Sequence, residues 1–93
     1  MRFEWDEQKN QTNIEKHGLD FADAHKVFDN PMLIQLDDRY EYDEERWVGI
    51  GLLDHLAVVV VYVERDEGEI IRIISMRKAL KYEQRRFEES ITN

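Results

Sequence analysis

The stretch Leu56-Ala57-Val58-Val59-Val60-Val61-Tyr62-Val63 is apolar at every position. A strand that reads this way is buried on both faces and takes a central place in its sheet. At strand length it falls far short of the roughly 18 residues that cross a bilayer. Asp54-His55 before it reads as a two-residue hairpin connection, and Asp66-Glu67-Gly68 after it as a turn, with Gly68 free to take positive φ. The preceding strand, Glu45 to Leu53, places Val48, Ile50 and Leu52 on one face and Trp47, Gly49 and Gly51 on the other. The following strand, Glu69 to Met76, is nearly apolar after its first residue, broken by Arg72 and Ser75. Met32, Ile34 and Leu36 alternate with Gln35 and Asp37 and predict one more strand, separated from the next by a polar loop, Asp37 to Glu44.

Helical signals flank this block of strands. Phe3-Glu4-Trp5 alternates as a short edge strand, and Asp6-Glu7 then opens a helix with acids at its positive end. Lys16-His17-Gly18 stops it, with cations in the last turn and glycine after them. The segment from Gln8 to Asn13 is polar throughout, so few apolar contacts can hold this helix. Asp20 caps a second helix, whose apolar face is Phe21, Ala24, Val27 and Phe28 and whose end is Asn30-Pro31. A last helix is expected from about Arg77 to Ser90. Its inner stripe would be Ala79, Leu80, Phe87 and Ile91, with a basic stripe of Arg77, Lys81 and Arg85 beside it.

The order β-α-α-β-β-β-β-α predicts an α+β fold, a meander of antiparallel strands with helices packed mainly on one face. Ninety-three residues make one small domain spanning 1–93. The absence of cysteine excludes a disulfide scaffold, a thiolate zinc site and cysteine catalysis, and it suits a cytoplasmic protein. No signal-peptide pattern opens the chain.

The net charge of −8 is unevenly spread. Residues 1–69 carry seven Lys/Arg against eighteen Asp/Glu, a balance of −11, and residues 70–93 carry six against three, a balance of +3. The whole field repels a polyanion at long range, which disfavours non-specific duplex binding. At a Debye length of about 8 Å, a basic C-terminal patch can still hold phosphate locally.

Four blocks in order, FEWDEQKNQTNIEKHGLDFADAHKVFDNP, ERWVGIG, VVVVYVER and IRIISMRKALKYEQRRFEE, resemble the BrnT family. The likeness runs from about Phe3 to Glu89 and is weakest in the loop Asp37 to Asp43. It implies a RelE-like fold and a toxin of a type II toxin–antitoxin system: a metal-independent endoribonuclease that needs no cofactor and inhibits translation, acting on RNA in a ribosomal context. It also implies a BrnA-like antitoxin with a ribbon-helix-helix DNA-binding domain, through which alone operator DNA would be reached.

Metal-free RNA cleavage needs a group that assists the 2′-hydroxyl, cations that stabilise the phosphorane and an acid for the leaving 5′-oxygen. Arg72, set between Ile71 and Ile73, must be paired. A phosphate is one candidate partner and a carboxylate of Glu64 or Glu45 another. The two are compatible, since a paired arginine can still face a pocket. Arg77 and Lys78 stand where the chain leaves the sheet and can meet phosphate, or form a solvated basic patch. Arg46 either joins Arg72 as a second clamp or pairs with Glu44 or Glu64. Lys81 and Arg85 either track phosphates or cover a solvated helix face. Lys16 and His17 either cap a helix end or serve the site, with His17 as general acid or base, since histidine ordinarily titrates near neutral pH. The expected catalytic set is Arg72, Arg77, Arg46 and His17, and the expected RNA-binding set is Lys78, Lys81, Arg85 and Lys16.

Three features weigh on this expectation. Family members commonly carry tyrosine where this chain has Phe87, which has no proton to transfer and also fits the apolar stripe. The acidic loop Asp37, Asp38, Glu41, Asp43 and Glu44 lacks the glycine and closing glutamate of a calcium loop, so no metal site is expected. Trp47 with Gly49 and Gly51 leaves either a stacking groove for bases or a seat covered by the last helix. The alternative to the enzyme is a weakly active or non-catalytic module that partners a ribbon-helix-helix repressor.

Overall fold

The computed structural model describes every residue except Tyr40, Tyr42 and Asn93. Its elements are β1 (Arg2–Trp5), α1 (Glu7–His17), a 3₁₀ turn (Phe21–Asp23), α2 (Ala24–Phe28), β2 (Leu33–Leu36), β3 (Trp47–Leu53), β4 (Leu56–Arg65), β5 (Ile70–Lys78) and α3 (Lys81–Ile91). The architecture is α+β, with one five-stranded sheet in the order β1-β5-β4-β3-β2. Strands β2 to β5 form the expected antiparallel meander. β1 closes the sheet beside β5 in parallel, Arg2 opposite Ile70 to Trp5 opposite Ile73, so the sheet is mixed.

β4 is central, as its unbroken apolar run requires. Its alternate residues feed two clusters. Val58, Val60 and Tyr62 pack with Leu19, Phe21, Ala24 and Val27 from the α1–α2 segment. Val59, on the other face, packs with Ile50 and with Phe87 of α3. Two helical elements thus cover one face, and α3 alone covers the other. Phe28 stands edge-on to both Phe3 and Tyr62, with centroids 5.3 and 5.0 Å away. Burial, with help from the charge of Glu64, pushes the Tyr62 phenol up to about 12.

α1 is held mainly by hydrogen bonds, as its polar sequence demands. Asp6 caps it, accepting from Gln8 N and Lys9 N. Buried Asn10 accepts from Phe21 N at 2.9 Å and donates to Glu7 and Asp20. Gly18, at φ 70°, closes the helix and returns its N–H to Ile14 O.

The last helix departs from expectation. Arg77 and Lys78 remain in β5, paired with Val59 and Val58, and α3 begins only at Lys81. Arg77 therefore does not share a helical stripe with Lys81 and Arg85. Leu80 and Ile91, expected on the inner stripe, are exposed, while Ala79 and Phe87 do face the core. Trp47 packs on the α1–α2 face and not under the last helix. A Cβ on Gly49 would strike Met32, and one on Gly51 would lie 2.8 Å from Val27. Those glycines seat the segment around α2 against the sheet, which fills the groove that bases would have entered.

Candidate functional site

The site forms where β1 runs out. β1 covers β5 only from Ile70 to Ile73, so beyond Ile73 one edge of β5 has no strand beside it. Ala79 N donates to Ala57 O, which makes 57/79, 59/77 and 61/75 the hydrogen-bonded pairs between β4 and β5. Met76 and Lys78 lie at the alternate pairs, so their main-chain groups point away from β4, off the open edge. Asn13 of α1 takes both groups of Met76: its Nδ2 donates to Met76 O at 2.8 Å, and its Oδ1 accepts from Met76 N at 3.2 Å. This pins the C-terminal half of α1 along the edge and brings Lys16 and His17 to the end of β5.

Lys16, His17, Arg77, Lys78 and Leu80 line one cleft of about 430 Å³ there. The Lys78 N–H points off the same edge and adds a main-chain donor beside the Lys16 and Lys78 ammonium groups. Arg77 reaches round the strand end, and its Nη1 donates to Lys78 O at 3.3 Å.

Arg77 is also anchored from behind. Its Nη1 and Nη2 donate to the two carboxylate oxygens of Glu83 at 2.8 and 2.9 Å. Glu83 Oε1 accepts from Leu80 N as well, and so caps α3. Arg77 holds the Glu83 carboxyl below its usual range, against the opposing effect of burial, and Glu83 raises the guanidinium further above its own. The pair is close to neutral as a unit. The cleft's free positive charge therefore rests mainly on Lys16 and Lys78, with Arg77 held in a fixed orientation.

Four of the expected residues, Lys16, His17, Arg77 and Lys78, thus come together. Arg72 does not join them. Its Nη1 donates to Glu4 Oε2 at 2.8 Å, and β1 supplies the carboxylate that the sequence reading sought on Glu64 or Glu45. Arg46 lies just before β3, where its carbonyl accepts from Asp37 N. Glu44, one of its expected partners, is bound to Arg65 at 3.0 Å. Arg77 lines two cavities, and neither reaches Arg46 or Arg72. Lys81 and Arg85 are exposed on α3, outside the cleft.

Two contributors were missed in the sequence. Asn13 is buried, yet it reads as one more polar residue of a polar helix. The available signal was its spacing of three from Asn10, which puts both on one helical face. Glu83 was missed because the helix was started too early, which hid its N3 position.

Phe87 is 2% exposed in the α3-face core, so that position is structural in this chain. Asp37, in the acidic loop, is bound by Arg39 through Nε at 2.8 Å and Nη2 at 3.0 Å. Tyr40 and Tyr42 of that loop lie outside the described residues. Among the described residues, no group of three or more His, Cys, Asp or Glu is placed to hold a metal ion.

Comparison with known proteins supplies the context for this cleft. Residues 5–83 match the family model described as the ribonuclease toxin BrnT of type II toxin–antitoxin systems. Among solved structures, the chain is similar to the 1.1 Å crystal structure of the Brucella abortus ribonuclease toxin BrnT. The sequences are 34% identical, the match covers 87% of this chain and 99% of that one, and the TM-score is 0.66. No curated protein matches the chain.

Proposed function

Since this chain belongs to the BrnT family of ribonuclease toxins of type II toxin–antitoxin systems, we propose that it cleaves RNA in the cleft between α1 and the end of β5. The observation that carries this is the convergence of Lys16, His17, Arg77 and Lys78 on one cavity. In the proposed reaction the substrate's 2′-oxygen attacks the adjacent phosphorus and the bond from phosphorus to the 5′-oxygen breaks. The products are a 2′,3′-cyclic phosphate and a free 5′-hydroxyl. Lys16, Lys78 and the Lys78 N–H offset the charge that gathers on the phosphorane oxygens. Arg77, oriented by Glu83, presents its guanidinium to the same group. His17 moves a proton at the attacking or the leaving oxygen. The chemistry is assigned to side chains alone, without a metal ion.

The remaining parts of the proposal rest on the family: translation is inhibited, the setting is cytoplasmic, and a ribbon-helix-helix antitoxin of BrnA type neutralises the toxin and carries it to operator DNA. None of the described helices is long and apolar enough to span a membrane.

One observation favours the second reading, a weakly active module that serves mainly as a repressor's partner: the guanidinium of Arg77 is already neutralised by Glu83. The two readings separate by experiment. Purified chain is incubated with a long RNA and new 5′ ends are mapped, beside a His17→Ala variant. Discrete cleavage by the unaltered chain, slowed by about 10²- to 10⁴-fold in the variant, supports the enzyme. RNA left intact by both, with partner binding retained, supports the module.

A further inference from the structure

A second, larger hollow opens from the cleft and shares Lys16 and His17 with it. It has a volume of about 570 Å³ and lies between α1 and the open edge of β5. Gln8, Lys9 and Thr12 form its wall, and Ile74 and Ser75 form its floor. We propose that this groove is the track along which single-stranded RNA continues beyond the cleavage cleft, with Lys9 and Lys16 as its phosphate contacts. This rests on the reading of the cleft given above and extends it to a residue that neither the sequence nor the cleft singled out.

Charge selects this groove over its competitor. Arg77 also borders a hollow on the α3 face, of about 330 Å³. There Arg39 is bonded to Asp37 and Arg77 to Glu83, and Asp38 adds a further negative charge. A polyanion gains little on that side. In the α1 groove, Lys9 and Lys16 face one carboxylate, Asp6, which is already occupied as the helix cap. The distance fits as well. Seven residues of helix span about 10 Å, and a stacked strand carries one phosphate per 3.4 Å, so the two lysines bracket about three nucleotides.

Among the described residues, no ion pair or side-chain hydrogen bond occupies the Lys9 ammonium. It is exposed in the first turn of α1, where a cation opposes the helix dipole. Among the described residues, the groove's lining holds no Phe, Tyr or Trp for a base to stack on, and its imidazole, His17, stands at the end shared with the cleft. Recognition there falls on the backbone and tolerates any sequence.

The experiment uses 2′-O-methyl oligouridylates, which cannot be cleaved, as a dinucleotide and an octanucleotide. Binding is measured to the unaltered chain, to Lys9→Glu and to Lys26→Glu. The last makes the same change in net charge on α2, outside the groove. Lys9→Glu should weaken octanucleotide binding by about tenfold, the loss of one charge-assisted contact. It should also flatten the slope of log affinity against log salt by about 0.7. Dinucleotide binding should match that of Lys26→Glu. Equal effects of the two variants on the octanucleotide overturn the track and leave the cleft standing, as does equal weakening of both oligonucleotides by Lys9→Glu. No binding of either oligonucleotide by the unaltered chain overturns the track and the cleft together.

Discussion

The carboxamide of Asn13 stands in for a missing strand at Met76. It donates to the Met76 carbonyl at 2.8 Å and accepts from the Met76 N–H at 3.2 Å, as a neighbouring strand would do. Its Nδ2 also donates to Leu19 O at 3.0 Å. One side chain thus ties α1 to the open edge of β5 and to the loop that follows the helix.

Asn13→Ala should therefore be severe for a polar substitution. It leaves the N–H and C=O of Met76 and the C=O of Leu19 buried with no partner from α1. We expect a loss of about 2–4 kcal/mol in chemical denaturation. A loss below 1 kcal/mol, about what a single surface contact is worth, would show that water replaces the amide.

Glu83→Gln tests the anchor behind Arg77. The carboxyl is held below its ordinary value of 4.5, so the unfolded chain binds this proton at higher pH than the folded one does. Its stabilisation is complete above that ordinary value and fades as pH falls through the lowered folded one. The variant should lose about 1–2 kcal/mol at neutral pH, from a weakened ion pair and cap. The difference should shrink in acid. A gap that stays constant in denaturation curves taken from neutral to acid pH would refute the assignment.

Lys78 and Lys81 stand three residues apart, but only Lys78 lines the cleft. Lys78→Ala should lower kcat/KM for RNA cleavage by about tenfold to a hundredfold, as expected for one lost charge-assisted contact in the transition state. Lys81→Ala should leave it nearly unchanged. Equal losses in a side-by-side assay would mean that α3 takes part in binding substrate.

Arg72 and Glu4 should behave as a structural pair. Their side chains are 28% and 40% exposed, so solvent screens the interaction. A double-mutant cycle with Arg72→Ala and Glu4→Ala should give a coupling of about 0.5–1 kcal/mol in stability. RNA cleavage by Arg72→Ala should stay near that of the unaltered chain. A collapse of activity at unchanged melting temperature would return Arg72 to the catalytic set.

Much of this fold was legible because its strands obey a simple rule. A segment apolar on both faces has to be central, and β4 is. The caps at Asp6 and Gly18 were legible for the same kind of reason, since each answers a local need of a helix end. The parallel docking of β1 was not legible, because short alternating segments carry no sign of direction. That docking decides the partner of Arg72, so the carboxylate that pairs with the arginine could not be read either. The start of α3 was misplaced because Arg77 and Lys78 suit a helix well enough. Ladder pairing with Val59 and Val58 overrides that local preference. Lys16, His17, Arg77 and Lys78 could be picked out singly from their chemistry, but their meeting depends on Asn13, whose significance lies wholly in what it touches.

The irregularity in β5 beside Val61 and Tyr62 bears on how relatives of this chain should be aligned. Val61 faces Ser75 and Tyr62 faces Ile73, so Ile74 is surplus to the ladder. A homologue lacking that one residue would keep Ile71, Ile73 and Met76 turned toward the same core and would forfeit only the Ile74 part of the floor of the groove beside α1. A one-position gap in the middle of a buried strand, ordinarily the mark of a faulty alignment, is at this point compatible with an unchanged interior.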